Sequence, residues 1–82
     1  MAFPDAMKIA IRQTTRWLYA AKQDKSPLVA MLHANYAVGN IDLMRQMWTD
    51  AEIAAGTGYD IHALVKDAQQ VQDAAQRRLG LS

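Results

Sequence analysis

The chain has 82 residues, 51% of them apolar and 21% charged, with a formal net charge of +1. That is enough for one small domain burying about 60 to 65% of its unfolded surface, and too little charge to draw the whole molecule to nucleic acid or an anionic membrane. No cysteine is present, which excludes a disulfide-stapled secreted scaffold and fits a reducing compartment. The opening MAFPDAMKIA lacks the basic, apolar and small-residue succession of a signal peptide, and no apolar run approaches the roughly 20 residues of a membrane span. A soluble, cytoplasmic protein without membrane contact is expected.

Every segment between the breaks in the chain reads as helix, and none alternates like a strand. The first helix is predicted over about residues 4–23, with Pro4 at its start and Asp5 in its first turn, where a carboxylate complements the helix dipole. Met7, Ala10, Ile11, Thr14, Trp17, Leu18 and Ala21 recur at steps of three and four and form its apolar face, with Lys8, Arg12, Arg16 and Tyr19 on the other.

In DKSP, Ser26 is an N-cap and Pro27 takes the first helical position, where its missing N–H costs nothing. The second helix is predicted over 27–48. Between Pro27 and Trp48 it holds only two formal charges, Asp42 and Arg45, and two apolar stripes run along it. One is Leu28, Leu32, Tyr36, Gly39, Leu43 and Met47; the other is Met31, Ala34, Val38, Ile41 and Trp48. A helix apolar nearly all round needs cover nearly all round.

Thr49 to Glu52 has the form of a capping box and opens a short third helix over 50–56, which the GTG of residues 56–58 stops. Asp60 is the N-cap of a fourth helix over 60–79, with Gly80 as its stop. Ile61, Leu64, Ala68, Val71, Ala75 and Leu79 are its apolar seam, with Val65 beside them, too short for a free-standing coiled coil. Residues 1–82 form a single domain on this reading.

Charge is uneven. Five basic residues face two acidic ones up to Ser26, and four basic residues face six acidic ones from Pro27 onward.

The segment EIAAGTGYDIHAL, Glu52 to Leu64, resembles the helix-turn-helix of bacterial and phage DNA-binding proteins. Ile53 would pack inward, Ala54 would be the small residue under the crossing helix, Gly58 the turn, and Leu64 the anchor of the second helix. The likeness covers about a quarter of the chain and would direct the segment through Lys66 to nucleic acid. Asp67 stands where that motif has an apolar residue, and Asp60 and Asp67 would face phosphates where readers of DNA carry basic or amide side chains. A capping box, a glycine stop and a new N-cap account for the same letters as a helix–helix corner. A second nucleic-acid reading uses the first helix, where Lys8, Arg12 and Arg16 form a ridge beside Tyr19, an aromatic able to stack on unpaired bases.

Enzyme chemistry finds no motif. His33 and His62 have no second histidine or carboxylate at the i, i+4 spacing of a helical metal pair, no nucleophile motif is present, and GTG lacks the lysine and preceding strand of a phosphate loop. No catalytic, metal or cofactor residue is assigned and no cofactor is expected. His33 reads as a partly buried side chain with one hydrogen bond. Met7, Met31, Met44 and Met47 read as core filler.

The expectation is therefore an all-α bundle of three long helices and one short connecting helix, completed by dimerisation. Its role would be association with itself, with a further protein as a candidate partner. The interface is expected at Met31, Ala34, Tyr36, Val38, Gly39, Ile41 and Trp48, with Ala37 on the second helix and Ala68 and Ala75 on the fourth letting backbones approach. The alternative is a nucleic-acid-binding module using the corner from Glu52 to Lys66 or the basic first helix.

Overall fold

The computed structural model describes the backbone of residues 3–80 and the side chains of residues 5–80. It contains four helices, α1 (Phe3–Gln23), α2 (Pro27–Met47), α3 (Asp50–Thr57) and α4 (Ile61–Leu79), and no strand among the described residues. The fold is the small all-α bundle of three long helices and one short one that the sequence implies.

Local chemistry sets the boundaries. At the start of α2 the Ser26 hydroxyl accepts from the Val29 N–H at 3.3 Å, with Pro27 in the first turn. The capping box of α3 is reciprocal: Thr49 Oγ1 accepts from the Glu52 N–H at 3.1 Å and Glu52 Oε1 accepts from the Thr49 N–H at 2.9 Å. Gly58 ends α3 at φ 78°, and Gly80 ends α4 at φ 75°, a left-handed conformation that glycine adopts without a Cβ penalty. Asp60 caps α4 by accepting from the His62 N–H at 2.9 Å. Trp48 lies one residue beyond α2, its backbone extended and its ring buried.

The long helices run antiparallel in succession. α2 lies in the middle, packed extensively against both α1 and α4, which touch each other far less. The body is accordingly elongated, 42 × 19 × 18 Å. The first helix buries Met7, Ile11, Thr14, Leu18 and Ala21 and leaves Lys8, Arg12, Arg16 and Tyr19 exposed. Thr14 is fully buried, yet its hydroxyl donates to the Ala10 carbonyl at 2.9 Å, so this hydroxyl is satisfied. The fourth helix turns Ile61, Leu64, Ala68 and Ala75 inward, with Val65, Val71 and Leu79 half-buried.

The short helix presses on the start of α1. A Cβ at Gly56 would stand 2.6 Å from Met7 Sδ, so in this arrangement the Met7 side chain fills the space that glycine leaves open. Ile53, fully buried, is the side chain that anchors α3 in the core.

Polar ties fasten both ends. Asp50 receives Arg45 Nε at 3.0 Å and Arg45 Nη2 at 2.9 Å, with His62 Nε2 at 3.1 Å, joining the end of α2 to the starts of α3 and α4. At the other end, Arg78 donates to the carbonyls of Asp24 and Lys25, so the last turns of α4 hold the α1–α2 corner. Lys22 and Asp67 pair at 2.7 Å between α1 and α4. No helix among the described residues is long and apolar enough to cross a membrane.

Candidate functional site

The two apolar stripes of α2 have different fates. α1 and α4 close over the face carrying Ala30, Ala34, Ala37, Ile41 and Met44, all buried, and Trp48 joins the same core. The opposite face is left uncovered by the other helices except at Tyr36, whose ring meets Trp17 of α1 on one side. There Leu28 is 67% exposed, Leu43 57%, Met47 54%, Leu32 and Tyr36 46% each, and Val29 38%. At 100° per residue these positions and Gly39 share one side of the helix, running almost its full length without a charge.

This arrangement corrects the expected interface. Ala34, Ile41 and Trp48 are buried inside the chain, and Met31 and Val38 are half-buried. The cause is α3: a single short helix turns the chain so that α4 docks on α2 along the second stripe, taking Ala34, Ile41 and Trp48 into the core and half-burying Met31 and Val38. Tyr36 and Gly39 are the expected interface residues that remain open, and the first stripe supplies the rest of the exposed face. Of the methionines, Met7 and Met44 are buried, Met31 is half-buried and Met47 stands on the open face.

Gly39 is distinctive on that face. Nothing lies within 4 Å of where its Cβ would be, and it does not adopt a positive φ. The monomer gives no packing or conformational reason for it, although glycine inside a helix costs about 0.5–1 kcal/mol relative to alanine.

The edge toward α1 is aromatic. Trp17 lies 5.0 Å from His33 and 5.0 Å from Tyr36 between ring centroids, the latter pair edge-to-face at 71°. The His33 Nδ1–H donates to Asp24 at 2.6 Å, so the histidine is the partly buried, singly bonded side chain the sequence implies. Sequence reasoning missed its partner because Asp24 lies in the preceding loop.

The corner from Glu52 to Lys66 is a helix–turn–helix in outline, with Ile53 and Leu64 buried. Ala54, however, is exposed rather than lying under a crossing helix. Asp67 is engaged by Lys22 of α1, which accounts for a carboxylate at a position the DNA-binding motif keeps apolar. The start of α4 is lined by carboxylates, Asp60 as cap and Asp50 against His62, and Asp50 is held below the ordinary carboxylate range first by its hydrogen bonds to Arg45. Asp60 thus occupies, with its own carboxylate, the helix start that would otherwise favour an external anion.

Lys8, Arg12, Arg16 and Lys66 are exposed, and their side chains form no hydrogen bond or ion pair with a described residue. A shallow cleft of about 170 Å³ beside this ridge is lined by Gln13, Arg16, Trp17 and Ala20. Among the described residues, no three His, Cys, Asp or Glu side chains come together in a way that could hold a metal ion. No known protein family, curated protein or solved structure matches this chain.

Proposed function

We propose that the protein is a small assembly module that acts by self-association through the open face of α2. The observation carrying this reading is that face itself. The exposed portions of Leu28, Val29, Leu32, Tyr36, Leu43 and Met47 amount to on the order of 500 Å² of apolar surface, within the roughly 300–600 Å² of the largest patch on a typical monomer, which is often functional. Two such faces together give about 1,000 Å², the threshold for a specific interface. Because no charge lies on the face, two copies meet without like-charge repulsion, and a symmetric pair is the commonest closed arrangement of identical chains.

Light scattering after gel filtration tests this directly. A mass of twice the 9.1 kDa chain, with a melting temperature that rises with protein concentration, is the expected result. A monomer throughout the micromolar range would remove the proposal.

A second reading rests on a separate observation, the exposed basic ridge of Lys8, Arg12 and Arg16 on α1, with Lys66 on α4 as a further exposed cation. It would make weak, salt-sensitive contact with nucleic acid. Titration against mixed DNA and RNA at about 50 mM salt, where non-specific affinity is high, should show binding that Arg12→Ala and Arg16→Ala abolish. No binding at that salt removes the reading.

A further inference from the structure

From the layout of the open face we infer that α2 pairs antiparallel with α2 of a second copy, with Tyr36 of each chain seated on Gly39 of the other. This rests on the self-association proposed above and adds its orientation and register.

The exposed positions Leu28, Leu32, Tyr36, Gly39, Leu43 and Met47 are separated by steps of 4, 4, 3, 4 and 4 residues, a spacing that reads the same from either end. Its centre falls between Ala37 and Val38. A twofold axis through that point, perpendicular to the helix, brings Leu28 opposite Met47, Leu32 opposite Leu43, and Tyr36 opposite Gly39. Each large side chain of these six positions then meets an apolar partner, and the bulkiest meets the residue with no side chain.

A parallel pairing places each residue opposite itself. Tyr36 would then confront Tyr36, and a void would remain where Gly39 met Gly39, which close packing disfavours. The antiparallel register also explains a residue the monomer does not. Gly39 is exposed, in open space and in ordinary helical conformation, so its missing side chain serves only something approaching from outside. Near-antiparallel alignment is needed for area as well, since a steep crossing would leave Leu28 and Met47 in solvent and bring the contact below the roughly 1,000 Å² of a specific interface.

The absence of cysteine in the chain makes the register testable by disulfide trapping. Leu32→Cys with Leu43→Cys in one chain should yield a covalent dimer under mild oxidation. Leu43→Cys alone should not, because the two copies of residue 43 lie 11 positions apart in this register, on the order of 16 Å along the helix. Efficient trapping by Leu43→Cys alone would overturn the antiparallel arrangement.

The Tyr36–Gly39 contact is tested by size exchange. Gly39→Leu points into open space in the monomer, so circular dichroism and the melting temperature of dilute protein should show an intact fold. The dimer dissociation constant should rise by about tenfold or more as the partner's Tyr36 is displaced. Adding Tyr36→Ala to Gly39→Leu should restore most of the lost affinity. If Gly39→Leu dimerises as tightly as the parent, the contact is wrong while self-association stands. If the parent is monomeric in every assay, both fall.

Discussion

At the scale of single residues, two glycines of this chain carry opposite expectations. Gly58 sits at φ 78° at the end of α3, where any side chain is strained, so Gly58→Ala should lower stability by about 1 kcal/mol or more. Gly39 is an ordinary helical residue with open space around it, so in the monomer Gly39→Ala should raise stability by about 0.5–1 kcal/mol. Urea unfolding in a Leu43→Glu background, which keeps the chain monomeric on the present reading, measures both without interference from assembly. Equal signs would show that the turn or the open face has been misassigned. The same scale separates the two sides of α1. Trp17 is partly buried, packs on the core and stacks with His33 and Tyr36, so Trp17→Ala should cost about 3 kcal/mol, the low end for aromatic truncation. Arg12→Ala and Arg16→Ala, at exposed positions, should stay within about 0.5 kcal/mol. Thermal melts of the three variants decide it, and a larger loss from either arginine would reverse the faces.

At the scale of elements, α3 depends on its cap more than on its length, since eight residues are far fewer than an isolated helix needs. Glu52 is held below its ordinary value of 4.5, first by the backbone N–H of Thr49, and Asp50 below 3.8, first by its hydrogen bonds to Arg45. A carboxylate with a depressed folded pKa contributes stability that is complete above its unfolded value and is lost as pH falls through the folded one. The melting temperature should therefore decline on acidification from about pH 4.5 downward, as the cap carboxylates protonate. Glu52→Gln retains an acceptor for the Thr49 N–H but does not titrate, so its decline should be shallower, and identical profiles would remove the cap from the account. Thr49→Ala should cost about 0.5–2 kcal/mol at neutral pH. These caps were legible in the sequence because each is closed within two to three residues: Ser26 to Val29, Thr49 to Glu52, Asp60 to His62. The stripes of α1 and α4 were legible for the same reason, since apolar and polar residues alternate with the helical period on both. The ties that set the helices against one another were not. Lys22 meets Asp67 across 45 positions and Arg78 meets Asp24 across 54, and nothing near either residue in the chain announces its partner.

At the scale of the whole molecule, the decisive feature is which side of α2 goes inside, and local pattern could not decide it. Both stripes are apolar, so either satisfies the helix, and the choice is made by where α3 delivers α4. The outcome gives two neighbouring positions contrasting roles. Ile41 is 2% exposed, within the core formed with α1 and α4, whereas Leu43, two residues on, is 57% exposed. Ile41→Glu buries a carboxylate without a partner, at a cost of about 4 kcal/mol or more, a large share of the roughly 4–12 kcal/mol available to a chain of this size. It should yield a chain that is unfolded or melts far below the parent. Leu43→Glu places its charge in water in the monomer and in an apolar contact in the dimer, so it should preserve helix content and shift the mass from two chains to one. Circular dichroism with light scattering on the two variants reads both effects at once. If Leu43→Glu also unfolds the chain, the open face is part of the core in solution. If it leaves a dimer of undiminished affinity, association uses another surface, and the apolar stripe of α2 has no role in it.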